Sequence, residues 1–192
     1  MDNSLLMKTE TSYTLNFLIY IQNIFLNQNT NKEKLKFPYF SNRLTFKENF
    51  ELRYKELWIE SSQRIYSDDV NDLRIFNDEK DLFYQKLFKI HPDSLTDFNE
   101  VYHSFQVWWE SFAGRFSVEG SINEIGQNLY LELANSIKNS EIEPQKHLNI
   151  IIIYDECLLA NNEVYSYFAI LPIKDFFLNY KEVVYKLKEC LY

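Results

Sequence analysis

The chain has 192 residues, of which 46% are hydrophobic and 17% aromatic, so it is long enough to bury a core and too apolar to be disordered. Its formal charge of −8 makes phosphate backbones unfavourable ligands and attracts basic proteins. The two cysteines are too few for a disulfide scaffold and indicate a reducing cytoplasm. We expect one domain over residues 1–192, with residues 1–10 frayed.

The first helix is predicted over residues 13–27, because apolar residues there cover nearly all faces, as in a helix buried on several sides. Asn16, Gln22 and Asn23 interrupt this apolar run. The run is therefore too short and too polar to span a bilayer, and no small-residue cleavage site marks it as a signal peptide.

Two capping patterns predict where the next helices begin. Thr45 and Glu48 form a capping box, which opens a helix that runs to about residue 66. Asp68 and Asp69 cap a second helix, with Val70 and Leu73 at the start of its apolar stripe, and this helix could divide at residues 77–78.

The helix predicted over residues 95–113 has the clearest helical period in the chain. Its apolar residues cluster around one direction, with Trp109 inside the stripe and Trp108 at its edge. We therefore predict that Trp109 is more buried than Trp108.

The segment from residue 115 to 119 lies between two glycines and is predicted to be a loop or a short extended piece. Ser121 and Glu124 form a second capping box, which opens a helix to about Lys138. A final helix is predicted from Lys174, after the strands described next.

Two strands are predicted at residues 148–154 and 164–171. Four consecutive isoleucines lie in the first, and their branched β-carbons favour a pleated strand over a helix. Asn161 and Asn162 tolerate turn conformations, so we expect the two strands to fold back as an antiparallel hairpin.

These elements predict an α+β fold that is predominantly helical, with about six helices around a small antiparallel sheet or hairpin near residues 148–171. Whether a third strand, near 37–40 or near 115–119, joins the hairpin is left open by the sequence. Helices must cover the hairpin, since two strands alone are marginally stable in water.

Catalytic and metal-binding patterns are weak in this sequence. The three glycines, spaced six residues apart, match no phosphate-binding loop, and the three histidines stand 12 and 44 residues apart without a nearby ligand pair. Cys157 and His147 would lie more than about 20 Å apart if the strands pair as a hairpin. We predict no catalytic residue, metal or cofactor.

The candidate binding residues are mostly acidic. The segments 68–81 and 155–163 contain nine carboxylates and two basic groups. Their alternative interpretation is a solvated helix face, with loop leucines folded back on the core. Trp108 is an apolar candidate. The predicted partner-binding residues are Asp68, Asp69, Asp72, Asp78, Glu79, Asp155, Glu156, Leu158, Leu159, Glu163 and Trp108.

These observations favour a non-catalytic, cytoplasmic protein that binds another, basic protein, and neither nucleic acid nor membrane. An immunity protein or antitoxin that neutralises a basic toxin or nuclease fits this description. The alternatives are an enzyme with a dispersed carboxylate and tyrosine site, and a structural subunit that self-associates through the hairpin edge. Reversing Asp68, Asp69 and Asp72 to lysine is expected to leave stability nearly unchanged while slowing association.

Overall fold

The computed structural model describes residues 5–29, 35–140, 146–161 and 164–191. They divide into two compact units, each described here by itself. The sheet unit holds the described residues of 5–11, 112–140, 146–156 and 164–191, and the helical unit holds those of 12–29, 35–111 and 157–161. The single domain expected over residues 1–192 stays a prediction.

The sheet unit is built on strands in the order β1-β2-β4-β3. They are β1 Met7–Thr11, β2 Leu148–Ile153, β3 Val164–Tyr165 and β4 Phe168–Pro172. Strand β2 pairs in parallel with β1 on one side and with β4 on the other, and the short β3 pairs antiparallel with β4. Strands therefore lie where two were predicted, but the antiparallel hairpin near residues 148–171 is wrong.

A turn at Ser166 and Tyr167 explains why the predicted pairing fails. Tyr167 has a φ of 61°, in the left-handed region that residues other than glycine rarely adopt. Its carbonyl accepts from the Asn149 N–H and its own N–H donates to the Cys190 carbonyl, both at 2.9 Å. The predicted second strand is thus two strands, and this reversal lets β4 run parallel to β2.

Strand β2 has no solvent-exposed face. Alternate strand residues point to opposite sides of a sheet, and the side chains of residues 150–153 are all at most 1% exposed. A continuous apolar run is typical of a parallel strand that is buried on both faces.

Strand β1 lies where frayed residues were expected. It pairs with β2 from Met7 opposite Leu148 to Thr11 opposite Ile152. Residues 37–40 form no strand, and residues 115–119, predicted as a loop or a short extended piece, lie in a kinked turn and the start of a helix, so neither segment adds a third strand to the sheet. The polar sequence of β1 suits the exposed edge that it occupies, and for that reason it carried no strand signal.

Helices complete the sheet unit. A kinked turn, Phe112–Phe116, with non-helical backbone angles at Gly114, leads into α6 Ser117–Ser140, and α7 Ile173–Leu178 and α8 Tyr180–Cys190 follow the sheet. Helix α6 packs on β1, whereas α7 and α8 pack on β4. Helix α6 begins at Ser117, before its predicted capping box at Ser121 and Glu124. The final helix, predicted as one, is broken at Asn179.

The helical unit contains five helices among its described residues. They are α1 Tyr13–Asn29, α2 Phe50–Ser67, α3 Val70–Asp78, α4 Lys80–Leu87 and α5 Pro92–Trp109. The predominantly helical α+β class is confirmed. The described residues form eight α-helices where about six were predicted, because two predicted helices each divide in two.

Aromatic side chains form the core of the helical unit. Phe17 of α1 lies at its centre, with five aromatic ring centroids between 5.1 and 6.4 Å from its own: Phe76, Phe83, Phe98, Tyr102 and Phe105. On α5, Trp109 is fully buried and Trp108 is half-buried, as predicted from the helical period.

The polar residues within α1 fix neighbouring loops. The buried Asn23 donates from Nδ2 to the Phe37 carbonyl at 2.8 Å, and Asn27 donates from Nδ2 to the carbonyls of Lys36 and Pro38. A buried amide group that lacks a partner costs free energy, so these bonds account for polar residues in an otherwise apolar helix. No described helix is long and apolar enough to cross a membrane.

The capping box predicted at Thr45 and Glu48 does not form. The Thr45 carbonyl accepts from the Lys89 N–H at 3.0 Å, and Phe46 forms an antiparallel bridge with Phe88. This pairing holds the segment extended, so α2 begins only at Phe50.

Candidate protein-binding surface

The acidic segment lies on α3, the turn before it and the start of α4, all in the helical unit. Asp68, Asp69 and Asp78 are exposed there. The Asp68 carboxylate accepts from the Val70 N–H at 3.1 Å, which caps the first turn of α3. These three predicted residues are exposed to solvent.

Asp72 has a different position and holds the start of α1. Its carboxylate accepts from Ser12 Oγ at 2.5 Å, from the Tyr13 N–H at 2.7 Å and from the Thr14 N–H at 2.9 Å. The first N–H groups of a helix have no partner within the helix, so Asp72 caps α1 from a distant part of the chain. Reversal to lysine would remove these bonds, so we now expect it to lower stability.

Glu79 is engaged by Arg64 of α2. The guanidinium donates to both carboxylate oxygens, at 2.8 and 2.5 Å, in a bidentate pair. This hydrogen bonding lowers the pKa of Glu79 against a smaller opposing effect of burial. Asp72 and Glu79 thus fix α3 in place, and we assign both a structural role.

Two apolar side chains are exposed on α3. Val70 is 65% and Leu73 is 50% exposed, and they lie one turn apart on the outward face. The sequence placed both in the buried stripe, which is wrong because Ile75 and Phe76 take the inward positions. The α3 surface, as we name it, consists of Asp68, Asp69, Val70, Leu73 and Asp78.

The predicted loop is divided between the two units. Asp155 and Glu156 belong to the sheet unit, where Glu156 forms an ion pair with Lys174. The Asp155 carboxylate accepts from the Glu156 N–H at 2.8 Å. Glu163 lies outside the described residues.

Residues 157–161 are fixed within the helical unit by buried side chains. The N–H groups of Leu158 and Leu159 both donate to Gln22 Oε1, at 2.7 and 3.1 Å, and Trp58 Nε1 donates to the Asn161 carbonyl at 3.1 Å. Leu158 is 51% exposed and Leu159 is half-buried. The structural role of Gln22 was missed, although a glutamine inside an apolar helix was a signal for it.

Trp108 is the edge of an aromatic cluster. Its ring centroid lies 4.7 Å from that of Phe37 and 5.8 Å from that of Tyr20, onto which it stacks. It is half-buried, whereas Phe37 is 50% and Tyr39 is 67% exposed. This cluster carries no charge that would select a partner, so we rank it below the α3 surface.

Cys157 is placed as an inert thiol. Its sulfur lies 3.9 Å from Tyr54 Oη, and burial raises its pKa to about 11. His147 belongs to the sheet unit and Cys157 to the helical unit. Within the described residues, no three His, Cys, Asp or Glu side chains are grouped so that they could hold a metal ion.

We predict that Cys157 resists alkylation in the folded protein. With a pKa of about 11, roughly one thiol in a thousand is ionised at pH 8, against about one in ten at the ordinary value of 9.0. Iodoacetamide labelling followed by mass spectrometry is expected to be about 100-fold slower than in urea. Equal rates in the two conditions would show that the thiol is accessible and has an ordinary pKa.

Searches against protein-family models, curated proteins and solved structures found no match for this chain. The function proposed below is therefore inferred from geometry and charge alone.

Proposed function

We propose that this chain is a non-catalytic binding protein whose α3 surface recognises a basic protein. An immunity protein or antitoxin that neutralises a basic toxin or nuclease in the cytoplasm is the type that it fits best. The observation that carries this proposal is an exposed apolar pair, Val70 and Leu73, beside three exposed carboxylates. An apolar centre with a polar rim is the usual composition of a protein interface.

The α3 surface is also held rigidly. The Asp72 cap on α1 and the bidentate pair between Glu79 and Arg64 attach both ends of α3 to neighbouring helices. A surface that is ordered before binding loses less conformational entropy when the partner docks. Rigidity of this kind suits an inhibitor, which has to bind tightly through a small area.

Charge favours a basic partner. The chain carries a net charge of −8, and residues 61–120, which include the α3 surface, carry −5 of it. Such a surface accelerates the encounter with a positively charged protein and repels acidic ones. Arg74 also lies exposed on α3, so the partner's surface is expected to include an acidic or neutral position opposite it.

Self-association through a sheet edge is the alternative function. Strand β2 is paired on both sides, by β1 and β4, so an edge available for self-association would be β1 or β3, which end the described sheet.

A matched pair of variants tests the α3 surface. The first carries Asp68→Asn, Asp69→Asn and Asp78→Asn, since asparagine keeps the helix caps while removing charge. The control carries Glu51→Gln, Glu100→Gln and Glu124→Gln, three exposed carboxylates elsewhere. Against a partner isolated from the native host, we expect only the first to slow association, about tenfold at low salt.

High salt and an apolar variant separate the contribution of charge to binding from that of apolar packing. The difference in association rate between the two triple variants is expected to vanish at 1 M salt. The Debye length is about 3 Å there, against about 10 Å at 0.1 M. Leu73→Ala is expected to raise the dissociation rate instead, since packing is lost after docking. Equal association rates for both triple variants, with no effect of Leu73→Ala, would place the binding site elsewhere.

A further inference from the structure

We propose that a second copy of this chain pairs with the free edge of β1, antiparallel and two-fold symmetric about Thr9. This interface is independent of the α3 surface. Strand β1 ends the sheet order, with β2 on one side only. Lys8 and Thr9 are exposed and Met7 is partly exposed, so the edge is open to another strand.

The backbone of β1 turns hydrogen-bonding groups toward that edge. The Leu148 N–H donates to the Leu6 carbonyl at 2.8 Å, so the main chain of Leu6 faces β2. Successive residues of a strand present these groups to alternate sides, so Met7 and Thr9 present theirs to the free side. No described residue bonds to the main chain of Met7 or Thr9 on that side.

The charges of β1 are complementary to themselves about Thr9. An antiparallel pair centred there places Lys8 opposite Glu10 of the second copy, and Thr9 opposite its own equivalent. Lys8 and Glu10 already share a face, with Nζ and Oε2 2.6 Å apart. Opposed charges and threonine pairs stabilise antiparallel strands, and like charges in the same positions destabilise them.

The backbone directions agree with this register. Thr9 would face its equivalent as a hydrogen-bonded pair, because its N–H and carbonyl point outward. Lys8 and Glu10 of the second copy would then form a non-hydrogen-bonded pair, the type in which side chains lie closest. The register that matches the charges is therefore one that the hydrogen bonds allow.

A cleft beside β1 would be covered by the same contact. It has a volume of about 660 Å³ and lies between β1 and α6. A two-fold axis perpendicular to the sheet would bring the clefts of both copies together on one side. Its apolar lining includes Leu131, which is 58% exposed and would be buried there. The cleft lining includes Met7, Thr9, Ile122, Tyr130 and Leu131.

Charge variants of the full chain test this pairing by sedimentation velocity over a series from micromolar to sub-millimolar concentration. We expect the wild type to form dimers. Lys8→Glu and Glu10→Lys each place like charges opposite one another at two symmetric positions, so each is expected to raise the dimer dissociation constant about tenfold or more. The double variant K8E/E10K restores both pairs and is expected to dimerise like the wild type.

Mixing the two single variants gives a result that a folding defect cannot produce. A heterodimer of Lys8→Glu with Glu10→Lys has opposite charges at both charged cross-strand positions. The equimolar mixture is therefore expected to dimerise at concentrations where each variant alone is mostly monomeric. Thr9→Pro removes an outward N–H without touching the bonds to β2, and it is expected to be monomeric. Thr9→Val is its control.

Three results would overturn the pairing. The first is a wild type that stays monomeric throughout the concentration series. Lysine on an edge strand commonly protects against association, and Lys8 would then have that protective role. Dimers that tolerate Lys8→Glu, Glu10→Lys and Thr9→Pro would place the interface elsewhere. Failure of the mixture and the double variant to restore dimers would exclude the proposed register. Circular dichroism establishes whether each variant is folded. If a charge variant is not folded, the Thr9→Pro variant tests the pairing instead.

Discussion

Replacing Ile151 with alanine is expected to lower the free energy of unfolding by about 2–5 kcal/mol, and the same holds for Ile150, Ile152 and Ile153. All four side chains are at most 1% exposed, so each truncation removes buried methyl groups and leaves a cavity. A strand with one exposed face would instead show large and small losses in alternation. Urea denaturation of the four variants measures the pattern.

Leu178→Ala is the control for this series, because Leu178 is 77% exposed in the same unit. Its effect is expected to stay within about 0.5 kcal/mol. Alternating losses along β2 would contradict a strand that is buried on both faces, and the parallel pairing would then need revision.

The second large effect is expected at Asp72. Replacing it with alanine leaves Ser12 Oγ and the N–H groups of Tyr13 and Thr14 without their acceptor, and is expected to cost about 2–4 kcal/mol. Asp72→Asn keeps one acceptor oxygen and is expected to cost less. Thermal and urea denaturation measure both. Glu100→Ala, at an exposed position of α5 in the same unit, is the control.

The stability provided by Asp72 also depends on pH. Burial raises the pKa of this carboxyl above its ordinary value of 3.8, although the bonds from Ser12, Thr14 and Tyr13 oppose the rise. The folded state therefore binds the proton more tightly than the unfolded state, and the contribution of this group falls as pH rises from 3.8 through the raised value. The advantage of the wild type over Asp72→Asn is expected to shrink over that range. An advantage that grows with pH would show that the hydrogen bonds dominate.

Asp72 illustrates how the fold narrows the set of acidic residues that a partner can contact. Asp72 stands among acidic residues that the sequence groups as one candidate surface, yet its carboxylate is used inside the helical unit. Among the predicted residues of this segment, the exposed carboxylates are those of Asp68, Asp69 and Asp78, so the α3 surface is smaller than the acidic segment. Variants that include Asp72 would confuse loss of binding with loss of the fold.

Local patterns in the sequence determined much of the helical unit. The all-round apolar run of α1 and the single stripe of α5 predicted both helices, and the period of α5 ranked Trp109 above Trp108 in burial. Periodicity succeeds here because each helix closes its own hydrogen bonds, and only its buried face depends on the rest of the chain.

The strand content was also visible, in the four isoleucines, but the pairing was not. The same run, read as a continuous apolar stretch rather than as one side of a hairpin, is typical of a parallel strand. What decided the pairing was the backbone of Tyr167 and the arrival of β1 beside β2, from about 140 residues earlier in the chain. A polar strand such as β1 becomes a strand only when a neighbour offers it hydrogen bonds.

The candidate surface was decided by tertiary structure for the same reason. Sequence spacing grouped five acidic residues: Asp68, Asp69, Asp72, Asp78 and Glu79. It could not show that residues 12–14 would donate hydrogen bonds to Asp72, or that Arg64 would pair with Glu79. Capping and ion pairing between distant segments depend on where the helices pack. Composition alone determined that the chain is acidic and rich in apolar residues, and packing determined which of its charges are exposed on the surface.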